Sequence, residues 1–292
     1  FTAGGALIDS FAVADGAWNQ YEPTCTAYAD GDVFVAWTDS RVGPTERDLW
    51  CVSLEGGAVV HGPVALANEA GVREEHPKAA VRQEYATVTA FEASSPSLGR
   101  GIRCSTAYQD LSYSYTLDVA MNTGRTFDHP DIASNGEDLL ITYQEVVFSD
   151  GPSLHVPFGY RYDGDNGRMW FFAYQLGPGS YTPANPVVGS AGYDYVTLWS
   201  TLNGGGPDVL ATASDPYGQS TLPSPIRLNT DPIVDTPGSA AQGQGPTHQP
   251  GSFQPRQTAL QPGQPARLCQ GFACRAGIVR RPGQQCRWRL LP

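Results

Sequence analysis

The chain is poor in the residues that build helices. Its 292 residues include a single lysine, Lys78, and two methionines, and only 16% are charged. Straight-chain side chains that favour helix are therefore scarce beside Thr, Val, Tyr and Phe, which favour strand. Apolar runs near the ~18 residues of a membrane span are missing too. The strand-like runs, such as Val33–Trp37, are short, so no membrane insertion is expected. None of the spacings among Cys25, Cys51, Cys104, Cys269, Cys274 and Cys286 matches a zinc site or a Cys-x-x-Cys pair. The one glycine run, Asn203–Pro207, lies between predicted strands with no helix N-terminus to hold phosphate. No cofactor and no metal are expected. The first residue is Phe1, with no basic or apolar leader behind it, and a processed chain or a fragment is expected.

Turn formers are plentiful instead. Gly 33 and Pro 24 make up about a fifth of the chain, which indicates a turn-rich all-β protein. The net charge of −11 is unevenly spread: residues 1–236 carry −18, whereas 237–292 hold seven arginines and no acid. An acidic body argues against nucleic acid as a partner.

A repeat organises that body. Glu22-Pro23, His76-Pro77, His129-Pro130 and Asn185-Pro186 are spaced 54, 53 and 56 residues apart, proline to proline. An aromatic closes each following apolar stretch: Trp37 and Phe91 stand 14 positions on, Tyr143 and Trp199 13 positions on. A third apolar run recurs as Leu49–Val52, Ile102–Cys104 and Val209–Thr212. Each unit therefore reads as four short strands, in the first unit near 23–28, 32–38, 48–54 and 58–66, with Ala29-Asp30-Gly31 as a hairpin turn. Val33–Trp37 is apolar on both faces, as a strand buried between neighbours requires. Stacked four-stranded units of about 54 residues describe the antiparallel blades of a β-propeller. About four blades, with units starting near 23, 77, 130 and 186, are recognisable within 1–236, as in an incomplete five- or six-bladed propeller; a β-sandwich is the alternative. From 237 to 292 the pattern fails. That Gln/Pro/Arg-rich segment reads as disordered, as translated out of frame with a fifth blade, or as a functional basic tail.

The string Val35-Ala36-Trp37-Thr38-Asp39-Ser40-Arg41, followed by Asp48-Leu49-Trp50, resembles blade strands of the sialidase-like BNR-repeat propellers of secreted bacterial proteins. Ala120–Phe127 resembles a degenerate Asp box, with Ala120 in place of Ser and Asn122 in place of Asp. The resemblance spans about 4–235. It implies a propeller, carbohydrate binding and a secreted or cell-surface location. The arginine motif that opens the first sialidase blade is missing; Ile226-Arg227-Leu228 and Tyr160-Arg161-Tyr162 lack its proline.

In a propeller, the start of each inner strand and the end of each second strand open on one face. Glu22, His76, His129 and Asn185 are thus expected as a ring at that mouth, with Asp39, Arg41, Glu92 and Glu145 beside them, all ligand-binding candidates. Such groups suit sugar hydroxyls; alternatively they cap the inner strands, and Pro merely fixes φ. Glu92 and Glu145 are the candidate catalytic pair if about 5–9.5 Å apart. Asp163–Gly167 reads as a hairpin turn, since it lacks a calcium loop's spacing. A Cys25–Cys51 disulfide is a possible pairing. Trp18, Tyr108, Tyr113 and Tyr115 lie outside the aromatic register, which leaves them better placed to face a ligand than the four register aromatics. Three functions follow: an extracellular module that recognises glycans or proteins, a sialidase-like glycoside hydrolase, or a structural repeat of a larger surface protein.

Overall fold

The computed structural model describes residues 12–228, apart from 15–17, 42, 44, 83–85, 149–153, 163–172, 178–183, 203–206, 216–218 and 223, together with 275–278 and 288–291. The Asp163–Gly167 turn, most of the Asn203–Pro207 run and most of the basic tail lie outside those residues. Within the tail, two short strands, Arg275–Ile278 and Trp288–Leu291, pair antiparallel.

The body is a β-propeller of four four-stranded blades. Blade 1 contains β1 (Gln20–Ala27), β2 (Val33–Asp39), β3 (Asp48–Glu55) and β4 (Ala58–Ala67), paired in that order. Blade 2 holds β5 (Arg73–Arg82), β6 (Ala86–Ser95), β7 (Gly99–Tyr108) and β8 (Ser114–Ala120); blade 3 holds β9 (Thr126–Ser134), β10 (Leu139–Val147), β11 (Leu154–Tyr162) and β12 (Ala173–Gln175). Blade 4 consists of β13 (Val187–Ala191), β14 (Asp194–Leu202), β15 (Pro207–Ser214) and β16 (Ile226–Arg227). No helix occurs among the described residues, so none is long and apolar enough to cross a membrane.

Burial explains the patterning. The second and third strands of blades 1 and 2 are covered on both faces, with Phe34, Ala36, Leu49 and Val52 fully buried. The outermost strand β4 is exposed from Ala58 to Val64. Between blades 1 and 2, Phe34, Leu49 and Cys51 pack with Phe91, Ala93 and Ala107; between blades 2 and 3, Val88, Ile102 and Cys104 pack with Ile132, Leu139 and Ile141. Inner strands are also stitched in a repeated way. After two of the prolines, the next residue accepts a backbone N–H from the next blade: Ala79 N–H to Thr24 Oγ1 (3.2 Å) and Val188 N–H to Asp131 Oδ2 (2.8 Å).

The Ala120–Phe127 string, which resembles an Asp box, forms the connection from blade 2 to blade 3. Asn122 Oδ1 accepts the Gly124 N–H at 2.9 Å, an Asx turn. The Cys25–Cys51 pairing is overturned: Cys25 is disulfide-bonded, but Cys51 and Cys104 are free and buried. Cys25 on β1 and Cys51 on β3 are separated by β2. Two strand spacings of ~4.8 Å exceed the ~7 Å Cα separation a disulfide tolerates.

Candidate functional site

The recurrent x-Pro pairs make bulges. In blade 1, Tyr21 opposes Thr38 and Thr24 opposes Ala36, so Glu22 and Pro23 together face Trp37. Likewise His76 and Pro77 face Phe91, and His129 and Pro130 face Tyr143. Two residues against one is a β-bulge. Ala184 O accepts the Ser200 N–H at 2.8 Å, which sets Asn185 and Pro186 opposite Trp199 in the same way. Bulging forces the residue before proline into left-handed backbone: φ is 51° at Glu22, 56° at His76, 54° at His129 and 43° at Asn185. Strands β1, β5 and β9 begin before these residues, so the ring lies inside the strands rather than in loops that lead to them.

A bulged residue turns its N–H out of its own sheet, and the preceding blade supplies an acceptor. Glu22 Oε2 accepts the His76 N–H at 2.9 Å, with the Thr38 hydroxyl 3.4 Å from the same oxygen. Glu92 Oε1 accepts the His129 N–H at 2.9 Å. Gln144 Oε1 accepts the N–H groups of Ala184 (2.7 Å) and Asn185 (3.2 Å). Thr38, Glu92 and Gln144 each follow the closing aromatic of their blade. Thr38 is too short to reach across alone, and Glu22 spans the gap for it.

Side chains then join these stitches into one line across three blades. The His76 imidazole lies between two carboxylates, with Nε2 3.0 Å from Glu22 Oε1 and Nδ1 3.3 Å from Glu92 Oε2. Arg100, near the start of β7, reaches Glu92 Oε2 through Nε (2.9 Å) and a terminal nitrogen, and its other terminal nitrogen is 3.8 Å from Asp128 Oδ2. Asp128 Oδ1 lies 3.0 Å from His129 Nδ1 and accepts from Gln144 Nε2 at 2.6 Å. The Glu92 side chain is only 6% exposed, whereas His76 and His129 are nearly half exposed. The carboxylates of Glu92 and Asp128 form the floor; Glu22, the imidazoles and the Arg100 guanidinium face outward.

The electrostatics follow from that layering. Hydrogen bonds to the carboxylates of Glu22 and then Glu92 lift the His76 imidazole to about 10, against the effect of burial. Burial works to raise Glu22, Glu92 and Asp128, but hydrogen bonds from His76 or His129 and the nearby cations outweigh it and hold all three below the usual carboxylate range. The line therefore sets the carboxylates of Glu22, Glu92 and Asp128 against the charged imidazole of His76 and the guanidinium of Arg100.

Sequence reasoning missed Arg100, Asp128 and Gln144. Gln144 carries a readable signal, since it follows Tyr143 as Glu92 follows Phe91. Arg100 emerges only from strand register: Trp37 pairs Trp50 and Phe91 pairs Arg103, which makes Arg100 the counterpart of Arg47. Arg47 bonds Glu75, the residue before His76, as Arg100 approaches Asp128, the residue before His129.

The remaining expected residues stand apart from this line. Asp39 accepts from Trp37 Nε1 (3.2 Å), from the Arg41 backbone (2.8 Å) and from the Arg41 guanidinium (2.7 Å), while that guanidinium lies 3.4 Å over the Trp50 ring. Glu145 leaves β10 on the side opposite Gln144 and pairs with Arg125 at 2.7 Å. Glu92 and Glu145, the supposed catalytic pair, are thus each neutralised by a different arginine. Among the described residues no three His, Cys, Asp or Glu side chains converge to hold a metal ion. Trp37, Phe91, Tyr143 and Trp199 are buried opposite the bulges, whereas Trp18, Tyr108 and Tyr113 are about half exposed.

No protein-family model matches this sequence, and no curated protein sequence matches it. Its fold is similar to the GH93 α-L-arabinofuranosidase of Fusarium graminearum in complex with arabinobiose: TM-score 0.51 at 10% identity, over 70% of this chain and 65% of that one. It is similar as well to the polysaccharide lyase Uly1, with TM-score 0.50 at 12% identity over 74% of this chain and 50% of that one. The chain therefore spans between half and two thirds of these enzymes' lengths. The propeller is common to them; sialidases are not among these neighbours.

Proposed function

We propose that this propeller acts on glycans laid across the face where its inner strands begin, and that it is of the glycan-cleaving kind. The observation that carries the reading is the unbroken line Glu22–His76–Glu92–Arg100–Asp128–His129 across three blades. Carboxylate acceptors alternate along it with imidazole and guanidinium groups, which suits sugar hydroxyls, each a donor and an acceptor at once. Cleavage is favoured over plain recognition because the enzymes that share the fold, an arabinofuranosidase and a polysaccharide lyase, are named for chemistry on sugars. In this reading Glu92, held ionised, stabilises positive charge at the anomeric carbon or activates water, and His76 and Arg100 fix its orientation.

A second reading, recognition without turnover, is supported by the direction of the carboxylate shifts. Glu22, Glu92 and Asp128 all lie below the usual range, whereas a general acid needs a raised pKa. A secreted or cell-surface location accords with the disulfide at Cys25, which belongs to an oxidising compartment.

Incubation of the full chain with arabinobiose and linear arabinan tests both readings. Release of new reducing ends that Glu92→Gln lowers at least tenfold supports cleavage. Retention on arabinan without release, weakened by Glu92→Gln, supports recognition. Neither release nor retention, from folded protein, defeats both and leaves a protein ligand for this face.

A further inference from the structure

The strands that carry the ring at one end carry a second feature at the other. There, the β1–β2, β3–β4 and β7–β8 turns meet at the seam of blades 1 and 2 and line an open cavity of about 350 Å³. Blade 1 contributes Asp32, Glu55 and His61 to its wall; blade 2 contributes Tyr108 and Asp110. Gln109 fixes the two blades here, as its amide donates to Asp30 Oδ2 (3.0 Å) and Asp32 Oδ2 (2.8 Å). Deeper in the same seam, the Thr87 hydroxyl donates to the buried Tyr28 oxygen at 2.7 Å. The wall is thus held in place before any ligand arrives.

From this cavity three tyrosines run outward along the β7–β8 hairpin. Ring centroids of Tyr108 and Tyr113 are 6.1 Å apart, those of Tyr113 and Tyr115 5.8 Å, and the planes are tilted by 38° and 42°. Tyr108 is 49% exposed and Tyr113 55%. These rings continue the face of β7 and β8 that carries Cys104, Leu117 and Val119 into the core of blades 2 and 3, but Tyr108 and Tyr113 stand half exposed beyond its end, where burial does not account for them. Sugar rings offer flat C–H faces to aromatic rings and hydroxyls to polar walls, and a row of rings about 6 Å apart matches successive sugars of a chain to within an ångström or so.

We propose that this turn face is a second glycan-binding site, distinct from the ring and specific for neutral oligosaccharides. The tyrosine row stacks successive sugars, and the cavity at its inner end takes hydroxyls of a terminal one. Charge sets the class of ligand: Asp30, Asp32, Glu55 and Asp110 surround the cavity with His61 as the one basic group on its wall, so uronic or sialic acid polymers are repelled. The site does not rest on cleavage at the opposite face; it would hold a polymer while that face works on it.

The test is titration calorimetry of the full chain carrying Glu92→Gln, which weakens the ring face, against xylohexaose, cellohexaose, linear arabinohexaose and hexagalacturonate. At least one neutral hexamer is expected to bind, hexagalacturonate at least tenfold more weakly, and the further change Tyr108→Ala with Tyr113→Ala to weaken the neutral ligand tenfold or more. Binding of no neutral hexamer, equal binding of hexagalacturonate, or indifference to the tyrosine changes overturns the proposal. In the unmutated protein, the same hexamer must slow nitration of Tyr108 and Tyr113 by tetranitromethane; unchanged rates overturn it without reliance on any variant. Loss of arabinan cleavage or retention by Glu92→Gln speaks only to the ring face, so the two readings fail separately.

Discussion

At its bulge, the seam between blades 3 and 4 does with neutral groups what the seams before it do with charged ones. At each, a left-handed residue ahead of proline offers its N–H to the preceding blade. Gln144 accepts at the last seam, where the left-handed residue is Asn185. Asparagine is among the few L-residues that tolerate this backbone, and an amide oxygen is a sufficient acceptor. At the earlier seams the acceptors are Glu22 and Glu92, and the left-handed positions are Glu22, His76 and His129. Histidine shares asparagine's tolerance of this backbone, whereas Glu22 does not, and backbone geometry asks for no charge at Glu22 or Glu92. A residue chosen against local preference marks where a fold gives up stability for a task, and the functional reading rests on these charges of blades 1 and 2 with the groups they meet in blade 3.

That contrast can be broken by removal of the acceptors. Glu92→Ala leaves the His129 N–H without its acceptor and strips His76 and Arg100 of a common partner; a loss of about 2–3 kcal/mol is expected in urea denaturation. Gln144→Ala removes a neutral acceptor and should cost about 1–2 kcal/mol. Equal losses would mean that the charge at Glu92 adds nothing to the stitch.

Acidity separates the seams in a second way. Glu22, Glu92 and Asp128 have folded-state pKa values below their unfolded ones, so their contribution is present above about pH 4.5 and lost as pH falls through the lowered values. His76 acts in the opposite sense: raised to about 10, its contribution is full below about 6.5 and lost as pH rises through 10. Both losses are expected in the melting temperature of the unmutated chain; His76→Gln should remove the alkaline one and shrink the acid one, because His76 is the main group that holds Glu22 and Glu92 low. Glu74, buried beside this line on β5, adds a slope of its own. Burial pushes its carboxyl up to about 8, and its Oε2 has no hydrogen-bond partner among the described residues. The folded state therefore holds a proton there that the unfolded state releases, and stability falls as pH rises from about 4.5 to 8. Glu74→Gln should flatten that fall; a pH–stability curve identical to the parent's would contradict it.

A gentler pair of substitutions sharpens the comparison. Glu92→Gln keeps an oxygen for the His129 N–H, as Gln144 does for Asn185, and should cost about 1 kcal/mol while glycan release or retention drops tenfold. His129→Asn puts blade 4's choice into blade 3, and stability should change by no more than about 0.5 kcal/mol, with glycan function reduced. A large loss of stability from His129→Asn would assign the imidazole to structure.

Much of this was legible before any coordinates. The 53–56-residue period gave the blades because each needs the same bulge, and Pro plus an opposed aromatic is a chemical signature of it. Trp37, Phe91, Tyr143 and Trp199 recur because one large side chain must fill the space across from two bulged residues. Strands of the first blade fall within three residues of their expected limits for the same reason. Glu22, His76, Glu92 and His129 could be placed at one face by symmetry alone. Asp39 and Glu145 could not be separated from them, since a single step along a strand reverses a side chain's direction and sequence spacing does not say which step faces the ring.

The sequence by itself determined the repeat, the blade count of the body and the face on which the inner-strand residues gather, because these depend on periodicity and on proline's fixed φ. Only the tertiary structure decided which charges meet. Arg100 joins Glu92 and Asp128 through the register of β6 with β7 and of one blade with the next, and the tyrosine row opens onto a cavity because three turns from two blades converge there. Contacts of that kind are set by packing between units, and no single unit's sequence contains them.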